Sequence, residues 1–257
     1  EGGTCLFSPT LDPFERDKVR ELIVGKQAAN RVADERKELE WLKPGDKITV
    51  TLTFETAGSI EVEAAVRESA QVFADLDTQV DEISLDVLDE LARLREGVNL
   101  TAVETYLRLR EQLEGRLGEF DPVVAPRMLA GRDVLAVDYL RQQRALAALR
   151  RRALAALDTV DVLITPTTPF AAPPVADVED PAEYFRVNAL CLRNTAAVNQ
   201  LGLCAVSLPC GFTAAGLPIG LQLIAKPYDE LRLLRVAHAF EQATQWTRQH
   251  PTMEAFI

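Results

Sequence analysis

Between Lys47 and Phe54 the chain alternates, with Ile48, Val50, Leu52 and Phe54 on one side and Lys47, Thr49, Thr51 and Thr53 on the other. A period of two over this length predicts a strand with one buried face. It follows Lys43-Pro44-Gly45-Asp46, a turn signature. From Ile60 to Phe73 the period changes, and Val62, Val66 and Phe73 fall on one helical stripe. A short strand is expected from Gln79 to Ile83. Leu85 to Leu117 reads as helix, rich in Leu and Arg, and Asp121-Pro122 breaks it. Val134 to Leu157 predicts a long helix, with Leu146, Leu149, Ala153 and Leu157 recurring at helical spacing. Near its end, Arg150-Arg151-Arg152 reads as a solvated face, where positive charge suits the macrodipole.

In the last third, Val160 to Thr165 predicts a short apolar strand stopped by Pro166, followed by a Pro-rich loop to Val175. Asp180-Pro181-Ala182-Glu183 carries the marks of a helix start. Asp caps, Pro suits the first helical position, and Glu183 sits where it closes a capping box. Phe185, Ala189, Leu192 and Ala196 follow on one face. Ala205 to Leu208 and Gly220 to Ala225 read as strands joined through a Gly216-Leu217-Pro218 turn. Asp229 to Trp246 is the last helix, with Leu233, Ala237 and Phe240 inward. Phe14 to Leu42, mixed in charge, also reads as helix with Gly25 as a break. Strands interleaved with long helices indicate an α/β fold.

At 257 residues the chain is long enough for one large core or two smaller ones. Its 47% hydrophobic and 26% charged residues argue for a globular protein and against disorder. A formal charge of −11 disfavours binding to phosphate backbones, so no nucleic-acid partner is expected. No run approaches the roughly 20 apolar residues of a membrane helix, so no membrane association is expected. Glu1 to Thr10 has neither a basic n-region nor an apolar h-region. The first residue is Glu, and the chain is expected to begin inside a longer product. Cys5, Cys191, Cys204 and Cys210 show no C-x-x-C spacing, and His238 and His250 have no metal-ligand spacing to them. Reduced thiols, a cytoplasmic location and no metal site are the simple expectations. Gly25-Lys26 lacks the upstream glycine and the Ser/Thr of a P-loop, and no dinucleotide fingerprint is present, so no cofactor is expected.

The run from Arg193 to Glu241 reads RNTAAVNQLGLCAVSLPCGFTAAGLPIGLQLIAKPYDELRLLRVAHAFE. Asn199, Gly202-Leu203, Pro209-Cys210-Gly211 and Gly216 to Gln222 together resemble the C-terminal block of amidase-signature enzymes. That family includes bacterial amidases, allophanate hydrolases and the A subunit of glutamyl-tRNA(Gln) amidotransferase. Gly131, Ala136 to Tyr139, the Arg-rich helix and Asp161 to Pro166 resemble the helix and strand that precede the block, and Glu61 to Ile83 resembles an earlier pair. The resemblance covers residues 46 to 250. It implies an α/β fold with a mixed sheet flanked by helices, of which this chain holds the C-terminal part. It also implies hydrolysis of a carbon–nitrogen amide bond through an acyl-serine.

Two departures matter. Cys204 stands where the family usually has Pro. More seriously, family chemistry resembles a Ser, cis-Ser, Lys triad in a Gly/Ser-rich segment, where lysine activates the nucleophile and backbone N–H groups hold the oxyanion. The serines here are Ser8, Ser59, Ser69, Ser84 and Ser207, none adjacent to another. The lysines are Lys18, Lys26, Lys37, Lys43, Lys47 and Lys226, none ahead of a Gly/Ser-rich segment. No catalytic residue carries over.

The resemblance places Arg193, Asn194 and Thr195 where the fold approaches the substrate pocket, and a guanidinium there suits a substrate carboxylate. The plainer reading is that they bond neighbouring backbone and hold a helix end. Asn199 is read as bonding main chain and Cys210 as a buried structural thiol. Asp86, Asp89 and Glu90 are read as a wet helix face; Asp177, Glu179 and Asp180 as loop and cap residues. Asn99-Leu100-Thr101 is a sequon by chance.

The expected organisation is an unassigned, mostly helical segment, 1–45, followed by the C-terminal part of an amidase-like domain, 46–257. The expected function is part of an amide hydrolase, supplying pocket wall to a small amide substrate, with a complementary chain or self-association completing the fold. The alternative is a non-catalytic scaffold or interaction protein that retains part of the fold. A third is new chemistry around Cys5 in a remodelled 1–45.

Overall fold

Five strands form one mixed sheet in the computed structural model, which describes residues 60–251 and the backbone of 47–50. These residues belong to a compact unit running from Leu42 to Ile257. The expected helix from Phe14 to Leu42, residues Thr51 to Phe54 of the first strand, and Cys5 lie outside the described residues.

Strands β1 (Lys47–Val50), β2 (Gln79–Glu82), β3 (Val162–Pro166), β4 (Cys204–Phe212) and β5 (Pro218–Ala225) lie in the order β2-β1-β3-β5-β4. β1 runs parallel to both β2 and β3. β5 runs antiparallel to β3 and β4. The order reverses at β1: β2 lies on one side of it and β3 on the other. In open sheets the crevice beyond the carboxyl ends at such a reversal is where ligands settle.

Both faces of the sheet are covered. Helices α1 (Ile60–Asp75) and α8 (Glu230–Ala243) pack on one, burying Val66 and Phe73 with Val236 and Phe240 against Val162, Ile164, Leu221 and Leu223. The Phe73 and Phe240 rings stack with centroids 5.2 Å apart and planes at 29°. On the other face, α2 (Asp86–Arg95), α5 (Ala136–Ala156) and α7 (Arg193–Leu201) gather Leu91, Leu146, Leu149 and Ala153. Below them Leu157, Leu163, Val198 and Ile224 form a further apolar cluster. β3 therefore sends Val162 and Ile164 to one face and Leu163 to the other. That two-sided burial is why its sequence is a continuous apolar run rather than an alternation.

Several expectations are corrected. The helical stretch from Leu85 to Leu117 is two helices, α2 and α3 (Leu100–Gly115). Asn99 caps the second, accepting from the Ala102 N–H at 3.1 Å, so the sequon asparagine has a structural task. The stripe from Phe185 to Ala196 divides at Leu192 into α6 (Pro181–Cys191) and α7, and Phe185 and Leu192 stay 37% and 44% exposed. Asp180 does cap α6, accepting from the N–H groups of Ala182 and Glu183 at 3.0 and 3.1 Å. The Glu183 carboxylate pairs with Arg186 rather than closing a box. Pro166 does not stop β3; it pairs with Leu221 inside it. The final helix ends at Ala243, leaving Trp246 in a 3-10 turn.

The arginine run is more than a solvated face. Arg150 Nε donates to the Gln200 carbonyl at 2.6 Å, and Arg152 Nη2 donates to Glu90 Oε1 at 2.7 Å. The two bonds brace α5 against α7 and α2. A short helix, α4 (Ala125–Leu129), closes on α3 at Gly131, where an added Cβ would lie 2.2 Å from the Ala102 carbonyl oxygen. Among the described residues no helix is long and apolar enough to cross a membrane.

Phe73→Ala removes one ring of the stacked pair from a fully buried site. We expect a loss of about 3–5 kcal/mol of unfolding free energy, measured by urea denaturation.

Candidate functional site

β3 ends at the reversal point of the sheet, and its last residues, Thr165 and Pro166, open into a cavity of ≈ 130 Å³. The roof comes from α2 and α7 and the floor from the sheet. Most of the wall is apolar, including Leu88, Leu91, Leu163, Val198, Leu201 and Ile224. The polar lining is confined to Asp89, Arg95, Thr165, Arg193 and Asn194.

One bond sets this geometry. Asn194 Nδ2 donates to the Pro166 carbonyl at 2.7 Å, tying the first turn of α7 to the end of β3. Arg193 Nε donates to Asn194 Oδ1 at 3.3 Å, so the same amide steers the guanidinium. Arg95, at the end of α2, donates from Nη1 to the Arg193 carbonyl at 3.3 Å. Of the three residues singled out from sequence, Arg193 and Asn194 line the cavity. Thr195 is half-buried on the same helix and outside the lining. Asn199 is exposed.

Beside the cavity lies a polar strip that sequence reading missed. In the register of the sheet, Gln222 stands opposite both Thr165 and Ser207. Gln222 is only 4% exposed, and its Oε1 accepts from Thr165 Oγ1 at 3.3 Å. Thr167 Oγ1 and Ser207 Oγ share a hydrogen bond at 2.6 Å. Gly220 makes room for them: a Cβ there would lie 2.8 Å from Thr167 Oγ1 and 3.1 Å from Ser207 Oγ. The available signal was polar residues at alternate positions of otherwise apolar strands. Only the pairing register could show that they meet.

The strip's hydroxyls are not activated by their described partners. Among the described residues each of the Thr167 and Ser207 hydroxyls has only the other as its side-chain partner, and no base is in reach to take a proton. Cys210 is 2% exposed, and burial pushes its thiol up to about 11, against a smaller opposing hydrogen bond from Ser69. A thiol that stays protonated at neutral pH is not a nucleophile. Cys204 is likewise pushed up, first by burial, and its Sγ donates to the Lys226 carbonyl at 3.1 Å. Asp86 and Asp89 are exposed, and Glu90 is held below the usual carboxylate range by its hydrogen bond from Arg152. Asp177 and Glu179 are exposed, the first within a 3-10 turn, Val175–Val178, and the second at its end. Among the described residues no three His, Cys, Asp or Glu side chains gather as a metal site.

A family model described as amidase matches residues 23–234. A 2-amino-5-chloromuconic acid deaminase of Comamonas testosteroni is 34% identical over 180 residues, spanning 70% of this chain and 39% of its own. The A-type subunit of glutamyl-tRNA(Gln) amidotransferase from Gloeobacter violaceus is 34% identical over 218 residues, with shares of 76% and 44%. The chain thus spans less than half the length of these relatives. Among solved structures, allophanate hydrolase of Kluyveromyces lactis superposes with a TM-score of 0.72 at 22% identity, over 84% of this chain and 36% of that one. A 6-aminohexanoate cyclic dimer hydrolase complexed with substrate gives 0.71 at 22% identity, over 82% and 48%. These likenesses carry the fold. The family match starts at residue 23, upstream of the motifs that begin near residue 46.

Gly220→Ala drives a methyl group into the Thr167–Ser207 pair. The expected cost is about 1–3 kcal/mol of stability. Thr167→Ala in the same chain removes the nearest of the crowded atoms, so the double variant should recover part of that loss in a denaturation cycle.

Proposed function

The chain belongs to the amidase family, and we propose that it forms the substrate-pocket wall of a hydrolase that cleaves carbon–nitrogen amide bonds. The observation that carries this reading is the cavity at the carboxyl end of β3, closed by the Asn194 bond to Pro166. A small amide enters a largely apolar pocket, and the few polar groups at its rim fix the orientation of the scissile carbonyl. Rate enhancement from such a wall comes from positioning, not from proton transfer.

The attacking group is supplied from elsewhere. No two serines of the chain are adjacent, and Ser207 has a threonine hydroxyl rather than a base as its partner. The wall is complete only beside a segment that brings a serine nucleophile, its bridging serine and a lysine. The open edge of the sheet supports such a neighbour. Among the described residues β4 is an edge strand of nine residues, CAVSLPCGF, with no charged side chain to discourage pairing. Relatives more than twice as long as their matched portions have the extra chain to fill that place.

The test is an intact mass of the protein purified from its natural source, with every co-purifying chain identified. A longer product, or a second chain carrying adjacent serines and a lysine ahead of them, is the expected result. A lone chain of this length, with no such companion, would replace the hydrolase reading with that of a scaffold.

A further inference from the structure

We propose that copies of this chain associate head to tail, the outward face of α1 on one copy meeting the outward face of α5 on the next. The inference stands apart from the cavity and takes a second copy as the partner.

The arginine run on α5 divides by direction. Arg150 and Arg152 turn to the Gln200 carbonyl and the Glu90 carboxylate. Arg151, between them, is exposed and makes no ion pair among the described residues. Arg144, seven residues earlier, is exposed and unpaired in the same way. Seven residues are close to two helical turns, so both side chains leave α5 on one side, roughly 10 Å apart along its axis.

α1 carries the opposite pattern. Glu61, Ala64, Glu68, Gln71 and Asp75 follow at steps of three and four, and all are exposed. Glu61 is engaged, accepting from the Ala214 N–H at 3.1 Å. Glu68 and Asp75 make no ion pair among the described residues, and Asp75 accepts from the neutral Gln71 amide at 2.8 Å. They too stand seven residues apart. Two carboxylates on α1 therefore match two guanidiniums on α5 in spacing and in sign. Small side chains between the charges, Ala64 on α1 and Ala148 on α5, let the helices approach closely. On the same side of α5, Val137 and Leu140 are 56% and 50% exposed, apolar surface that a neighbour covers.

α1 and α5 pack on opposite faces of the sheet. A pair of copies thus keeps one acidic and one basic face free, and the assembly extends beyond a dimer. Exposed ion pairs are individually weak, so the contact is reversible. The net charge of −11 makes salt the discriminating variable. Repulsion between like-charged chains fades as salt is added, so association through an uncharged surface such as the β4 edge grows with salt. Association through α1 and α5 falls with salt.

Sedimentation equilibrium of the whole chain at ~20 mM and ~0.5 M salt tests this. At the lower salt the mean mass should exceed that of one chain and rise with concentration. At the higher salt it should return to one chain. Arg144→Glu with Arg151→Glu, or Glu68→Arg with Asp75→Arg, should lower the association constant roughly tenfold or more. An equimolar mixture of these two variants has opposite charges at every contact and should recover the assembly. All four positions are exposed, and circular dichroism checks that each variant folds. A pair that fails to fold is replaced by Arg151→Gln or Glu68→Gln, which should still weaken association. A single-chain mass at low salt, association that grows with salt, variants that assemble like the parent, or a mixture that does not recover would overturn the proposal.

Discussion

Burial of β3 on both faces is the constraint from which the remaining structure follows. Val162 and Ile164 are covered by α1 and α8, and Leu163 by α7 and the end of α5. With neither face in water, the strand's ends are the only places where it meets solvent or ligand. Its carboxyl end supplies Thr165 to the cavity and the Pro166 carbonyl to Asn194. That single hydrogen bond transmits the position of the sheet to α7. From α7 it reaches Arg193, and through the Arg193 carbonyl it reaches Arg95 on α2. The cavity is therefore built on helices and strands rather than on loops.

The parts of the fold legible in the sequence were those set by local periodicity. The stripe Val62, Val66 and Phe73 gave α1, and Leu146, Leu149 and Ala153 gave the buried side of α5. The hairpin of β4 and β5 was visible from its turn. The breaks were not. α2 and α3 read as one apolar pattern, although Gly97 and the Asn99 cap stand between them. The division at Leu192 has no Gly or Pro to mark it. Arg193 and Asn194 were legible as a pair through motif resemblance. Arg95, nearly a hundred residues earlier, could join them only through tertiary contact. The same holds for Thr165, Ser207 and Gln222, which strand register brings into line.

What the site holds and what it lacks divide along chemical lines. It has a largely apolar wall with a few polar side chains. Asp89 stands in the lining, but among the described residues no carboxylate, imidazole or amine bonds the hydroxyls beside it. Ser207 is bonded to Thr167, and the buried Cys210 keeps its proton. The chain belongs to the amidase family and spans less than half the length of the relatives compared with it.

The most direct measurement is ammonia release from simple amides by the pure 257-residue chain, followed over hours at high protein concentration. The expected result is no turnover above the rate in buffer. Sustained turnover that disappears on replacing Ser207, Thr167 or another residue of this chain would contradict it, and would place the reactive groups within the structure described.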